Sequence, residues 1–447
     1  MSDFGDLFAG TVACLLFLGI GQPLLRATTH RATLPLQCRL FAAALFARFA
    51  TSVMIYQLGF ASVLGDADAI GWGYGDTLRT QWDASGSGIL DVLLAWRGAF
   101  QFTSDGGLGY STHLGYYYFL GTIFFVIGES SRMVAAALNC FVGALMVVFA
   151  YRTARTLFSE WVAVRVGWWA CLFPSMIIWC AQTVKEPVVI LLEVIALYGC
   201  IRLKKSGFAV RYVLLCGTAV ALVMPFRFYA AYIGLAAVAV ALVAPSGRRL
   251  TRGSAAGLAV FFGVLIVLAL VLASSDVGME RFDVDFIEKF RRDIAEGTGS
   301  GVNLTFDMHT TSGFSLGTLV GAAHLLLAPF PWQLGGASLR MLLTTPELLY
   351  WWWLFFAGVV PGARVALRQR LVEMLPVLVF IVGLGLVYSM TFGNIGVVFR
   401  QRAQLLPWLF MLAAVGLEQR KVQHARRRAR LLSYPAPARP AAAALPS

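Results

Sequence analysis

Apolar residues fall in runs of about 15–25, long enough to cross a hydrocarbon core as helix, and polar residues gather in the breaks between them. The runs occupy residues 7–25, 40–64, 133–151, 161–180, 187–201, 212–226, 229–244, 254–272, 347–360, 371–392 and 403–418. They predict an all-α polytopic membrane protein with about eleven transmembrane helices. Two further apolar stretches, 114–128 and 314–330, lie inside long connections. They are expected as juxtamembrane or re-entrant helices, which protein-lined cavities tolerate at membrane depth.

The polar breaks alternate in charge. One set carries Arg26, Arg31 and Arg39; Arg152 and Arg155; Arg202, Lys204, Lys205 and Arg211; Arg248, Arg249 and Arg252; Arg364, Arg368 and Arg370; and Arg420, Lys421 and Arg426 to Arg428. The other set is acidic or nearly neutral, the head with Asp3 and Asp6 included. By the excess of Lys and Arg in cytoplasmic loops, the basic set faces the cytoplasm and the other set faces outward. The chain then reads as one transmembrane domain over 1–433, with outer loops 65–132 and 273–346. The Pro/Ala-rich cytoplasmic tail, 434–447, is expected to be disordered.

Composition agrees with this class. The 59% apolar and 13% charged residues, with a mean hydropathy of +0.73, stand far from the roughly 45–50% and 25% of soluble domains. The net charge of +13 is therefore a topology signal, and no nucleic-acid partner is expected. Membrane lipids with anionic headgroups are the expected neighbours of the basic run from Lys421 to Arg430. The first span is no cleavable signal peptide, because Asp3 and Asp6 precede it without Lys or Arg. No cysteine pair falls in the outer loops, so neither a disulfide framework nor a zinc site is expected.

Four polar sites fall on the outer face of this scheme. Asp66 and Asp68 follow the second span and open an acidic, glycine-rich loop. Lys185-Glu186-Pro187 sits in a very short connection, Arg227 in the tight turn Pro225-Phe-Arg-Phe-Tyr229, and Arg400-Gln-Arg402 follows Asn394 in the last outer turn. Each has a plainer explanation. A loop-opening aspartate can cap a helix, and Pro187 with Glu186 suits the first turn of one. The arginines can anchor in headgroups. His324 reads as a packed core residue, Pro329 to Trp332 as a shaped turn, and Arg48 as a snorkelling residue or a partner of Glu193. Taken together, two acids and several arginines on one face suit sugar transfer from a lipid-linked donor. A carboxylate would deprotonate the acceptor hydroxyl, and arginine forks would hold the departing phosphate.

The chain resembles the GT-C superfamily of membrane glycosyltransferases, which includes the protein mannosyltransferases and the lipid A aminoarabinose transferases. The resemblance covers about residues 40–200. It rests on Gly65-Asp-Ala-Asp68 after an early span, the aromatic stretch Gly115-Tyr-Tyr-Tyr-Phe-Leu-Gly121, and the segment from Leu138-Asn-Cys-Phe-Val-Gly143 to Tyr151-Arg-Thr-Ala-Arg155. Leu172-Phe-Pro-Ser175 and Lys185-Glu-Pro187 complete it. The second half, with Pro329-Phe-Pro-Trp332 and Asn394 to Arg402, resembles relatives from exopolysaccharide clusters. The resemblance implies a GT-C-like fold, with Asp66 or Asp68 as base and Glu186 as the second-loop acid. An extra N-terminal span departs from the family pattern. So does Glu186, where many members carry Asp, which leaves a divalent metal open; no other cofactor and no protein-held metal set is expected.

These readings combine into an inverting glycosyltransferase of the bacterial inner membrane, working at its periplasmic face. It would move a sugar from a polyprenyl-phosphate or polyprenyl-diphosphate donor to a glycan, lipid or protein acceptor in cell-surface polysaccharide synthesis. Arg400, Arg402, Arg227 and Lys185 are the expected donor-phosphate residues, with Asn394, Trp332 and His324 as further substrate contacts. The rivals are a polysaccharide polymerase or O-antigen-ligase-like enzyme, and a lipid-linked-glycan flippase or transporter. Transporters place charges near the midplane of several spans, whereas here the polar sites gather at one face.

Overall fold

The structure, a computed structural model, describes residues 3–64, 71–100, 114–206, 209–243, 284–296, 301–302, 306–336 and 345–432. Asp66, Asp68, the span expected at 254–272 and the tail from 434 lie outside the described residues. What is described is helical, with a single isolated bridge between Gly301 and Asn394. In chain order the helices are α1 Asp3–Thr28, α2 Leu34–Tyr56, α3 Ala61–Leu64, α4 Gly71–Ala84, α5 Ile89–Ala95, α6 Leu114–Ile127, α7 Arg132–Leu157, α8 Glu160–Leu172 and α9 Pro174–Cys180. They continue as α10 Glu186–Ser206, α11 Val210–Val223, α12 Phe228–Val243, α13 Val284–Ala295, α14 Thr311–Leu327, α15 Thr345–Gln369, α16 Leu371–Met390 and α17 Ile395–Leu432.

Among the described residues, five helices are long and apolar enough to cross a membrane: α1, α2, α7, α15 and α16. The pair α8 and α9, bent by 54°, makes a sixth if it counts as one span. The expected eleven are thus resolved only in part. α6, α11, α12 and α14 are apolar but short, and α10 carries Glu186, Glu193, Arg202, Lys204 and Lys205 within 21 residues. The second span also ends earlier than expected, at Tyr56 rather than 64. Gly59 adopts φ +80, a left-handed conformation that ends helices and that glycine enters without strain.

The buried centre of the bundle is α7, which packs against α1, α2, α8 and α10, while α10 also packs against α11 and α12. At one end the basic connections are stitched together. Arg152 donates to Gln37 Oε1 (2.7 Å) and Thr28 Oγ1 (3.0 Å), Lys204 to Val372 O (2.7 Å), Arg370 to Leu157 O (2.6 Å), and Ser159 to Glu418 (2.5 Å). The α1–α2, α7–α8 and α15–α16 connections, the C-terminal end of α10 and the middle of α17 therefore share one end, as the alternation of charge requires. At the other end Ser131 Oγ donates to Asp6 (2.5 Å), and Arg79 of α4 donates to Gly128 O (3.1 Å). There α4 and α6 form a layer beside the head of α7.

Two charged side chains make the break at Pro174 tolerable. Proline has no N–H, so the carbonyl of Ala170 loses its helical donor; Arg48 Nη2 supplies one at 2.8 Å and its Nη1 reaches Cys171 O at 3.1 Å. Across the break, Ser175 N donates to Glu347 Oε2 at 2.9 Å and its hydroxyl donates to Glu347 Oε1. Arg48 thus neither snorkels nor pairs with Glu193: the cation covers the carbonyl end of α8 and the anion the amide end of α9. Each buried group left unpaired would cost about 1–3 kcal/mol.

Candidate functional site

After α9 the chain unwinds at 181–185, and every residue of that stretch is buried. Irregular backbone at this depth needs partners from its neighbours. Ser52 Oγ donates to Ala181 O (2.6 Å), Asn139 Nδ2 donates to Gln182 O (2.6 Å) and Val184 O (2.8 Å), and Thr183 N donates to Tyr56 Oη (3.0 Å). The Tyr116 phenol lies 2.9 Å from the same Nδ2. This mount fixes Lys185 and starts α10 at Glu186. At 1.5 Å per residue Glu186 lies about 30 Å from Lys205, the thickness of a hydrocarbon core, so it stands at the end opposite the basic connections.

Glu186 is the hub of the cluster. Its Oε1 pairs with Arg227 Nη2 at 3.0 Å and with Arg400 Nε at 3.3 Å. Arg227 comes from the α11–α12 turn, where its N–H donates to Val223 O (2.8 Å), and the rings of Tyr229 and Tyr388 flank its guanidinium at 5.7 and 5.9 Å. Its Nη1 donates to the Tyr388 phenol at 2.6 Å. Glu186 Oε2 and Arg227 Nε are buried without a partner among the described residues. The Glu186 side chain is 1% exposed and that of Arg400 15%, so Arg400 is the edge of the cluster nearest to solvent or lipid.

The structure brings together three of the four expected polar sites: Lys185-Glu186, Arg227 and Arg400. The fourth, Asp66 and Asp68, is not described. The expectation that Arg400 and Arg402 sit in a turn is corrected, because both lie on α17. Positions two apart on a helix point about 200° away from each other, so they serve different places. Arg402 Nε donates to Leu325 O (2.8 Å), and its Nη2 to Ala328 O and His324 O (3.4 Å). It caps the C-terminal end of α14 with Trp351 and Trp352, whose indoles donate to Leu326 O (2.6 Å) and Leu327 O (2.8 Å). Those carbonyls sit beside the second turn of α15. α14 also lies close on α16, with Gly321 against the Ser389 backbone, where a Cβ would collide.

Asn394 and His324 both meet protein groups. Asn394 Oδ1 accepts from Gly396 N at 2.7 Å, capping α17. His324 Nδ1 contacts Val320 O at 2.8 Å, and its ring stacks on Phe392 at 4.3 Å. Trp332 is 75% exposed and stacks on Phe330 at 4.8 Å. Sequence reasoning missed Tyr388 and Gln404, and misassigned Glu193 to Arg48. One signal was available: Arg400 and Gln404 are i, i+4 on a helix and so share a face. Among the described residues, no group of three or more His, Cys, Asp or Glu could hold a metal ion.

These features define a multi-pass helical membrane protein with a buried acid–arginine cluster at one end of the bundle. Residues 114–273 match the dolichyl-phosphate-mannose-protein mannosyltransferase family, a segment that carries Lys185, Glu186 and Arg227 but neither Asp66 nor Arg400. The match supports a GT-C-like membrane glycosyltransferase. No curated protein matches the chain.

Proposed function

We propose that the chain transfers a sugar, with inversion, from a polyprenyl-phosphate-linked donor to a glycan, lipid or protein acceptor at the outer face of the bacterial inner membrane. The observation that carries this reading is the convergence of Arg227 and Arg400 on one Glu186 oxygen, buried at the end away from the basic connections. The family matched by residues 114–273 is named for a lipid-phosphate-sugar donor and a protein acceptor, which supports the same class of donor here. In the transfer, Asp66 or Asp68 takes the proton of the acceptor hydroxyl as its oxygen attacks the anomeric carbon. The bond from that carbon to the phosphate oxygen breaks, and the polyprenyl phosphate leaves with its electron pair. Arg227 and Arg400, with Lys185 nearby, hold the phosphate and neutralise the charge it gains. Glu186 holds the two arginines apart from other anions until the donor arrives. Arg402 is left out of this set, because α14 carbonyls take its Nε and Nη2.

Farnesyl monophosphate stands in for the departing lipid, and farnesol for the same chain without phosphate. Purified protein is expected to bind the phosphate well and the alcohol weakly. Arg400→Lys should weaken phosphate binding, since an ammonium cannot offer the bidentate fork, and Arg400→Ala should cost about 2–5 kcal/mol. Headgroup anchoring predicts instead equal affinity for both variants, and that result would remove Arg400 from the site.

A further inference from the structure

Below Glu186 the cluster continues into the apolar centre of the bundle. Glu193 lies two turns along α10 from Glu186, on the same face and about 10 Å deeper, and is 2% exposed. Gln404 of α17 is fully buried between Glu193 and Arg227. In the amide orientation that satisfies all its neighbours, its NH2 donates to Glu193 Oε1 (3.2 Å) and to the Tyr388 phenol (2.5 Å). Its carbonyl oxygen accepts from Arg227 Nη1. A carboxylate and an amide in an apolar core cost free energy unless they are paired, and this pair connects upward to Arg227 through Gln404.

Two neighbours fix the polarity of this chain of contacts. The Arg227 guanidinium has only donors and needs the amide oxygen, and Glu193 Oε1, at 3.2 Å, accepts from the amide NH2 below it. With Glu193 beneath it, Gln404 must direct its NH2 downward and its oxygen upward. Both Nη1 protons of Arg227 then have acceptors, in Tyr388 and Gln404, and Nη2 is left for Glu186 or for an anion that takes its place. Reversing the amide would set an NH2 against the guanidinium.

We infer that Glu193 is a positioning residue of the anion site: by accepting from the Gln404 NH2 it holds the amide oxygen against Arg227 Nη1 and so aims Arg227 at the donor phosphate. The inference rests on the functional reading above, in which Arg227 holds that phosphate. It separates Glu193 from Glu186, which meets the arginines directly, and gives the second in-span acid a task that packing alone does not supply.

The test is the affinity of purified full-length protein for farnesyl monophosphate, with farnesol as reference and the thermal midpoint recorded for each variant. Glu193→Gln can set an NH2 where Glu193 Oε1 accepts, and is expected to weaken phosphate binding by about tenfold or more. The exchange double variant Glu193→Gln, Gln404→Glu restores an acceptor beneath Arg227, and is expected to recover affinity to within about threefold of wild type. Arg227→Ala should lose phosphate binding altogether. If Glu193→Gln lowers the thermal midpoint but leaves affinity unchanged while Arg227→Ala abolishes it, Glu193 is structural and the inference is overturned, with the functional reading intact. Failure of the exchange variant to recover affinity overturns the amide-orientation argument in the same way. Unchanged affinity in Arg227→Ala overturns the functional reading of Arg227, and this inference with it.

Discussion

Glu186→Gln is expected to destabilise the empty protein and yet to leave it binding farnesyl monophosphate well. In wild type the Glu186 carboxylate is the shared counter-charge of Arg227 and Arg400. Removing one partner of a buried pair leaves uncompensated charge, at a cost of about 3–5 kcal/mol. An incoming phosphate monoester supplies the missing charge, so binding should stabilise the variant more than wild type, through the linkage of ligand binding to folding. The thermal midpoint with and without farnesyl monophosphate reads this directly. A variant as stable as wild type, and no more responsive to the ligand, would show that Glu186 is not the counter-charge of an anion site.

The second large effect is expected in the segment after α3. Asp66 stands two residues beyond the helix Ala61–Leu64, and is preferred over Asp68 as the base because it is nearer to that helix in the chain. Substitution of the base by Asn should reduce turnover by about 10² or more with farnesyl monophosphate affinity unchanged, since only the proton acceptor is lost. Turnover is measured with lipid donor extracted from the native host. Wild-type turnover in both Asp66→Asn and Asp68→Asn would exclude either residue as the base.

Much of the architecture was legible in the chain because hydrophobic length and Lys/Arg alternation act segment by segment. The helix at Leu114–Ile127, the helix at Thr311–Leu327 and the common end of the basic connections all follow from them. Boundaries were less legible where one residue overrides its surroundings. Gly59 ends α2 inside an apolar run, and Pro174 splits a span whose composition is continuous. In the site, Glu186, Arg227 and Arg400 could be singled out because charge beside apolar spans is costly without a use. Their pairing could not, since it depends on how α10, α12, α16 and α17 pack. Arg48 was hardest to place, because its partners are main-chain carbonyls of α8, which no side-chain pattern announces. Arg402 belongs to the same class, spent on the end of α14 two residues from an arginine that faces the cluster.

The central claim is that the cluster of Glu186, Arg227 and Arg400 serves transfer from a polyprenyl-phosphate-linked sugar. It is tested most directly by mass spectrometry of the polyprenyl lipids in the native host after deletion of the gene. One polyprenyl-phosphate-linked saccharide is expected to accumulate, to be cleared by the wild-type gene, and to persist when Arg227→Ala is expressed at the same level. An unchanged lipid pool in the deletion strain, or full clearance by Arg227→Ala, would contradict it.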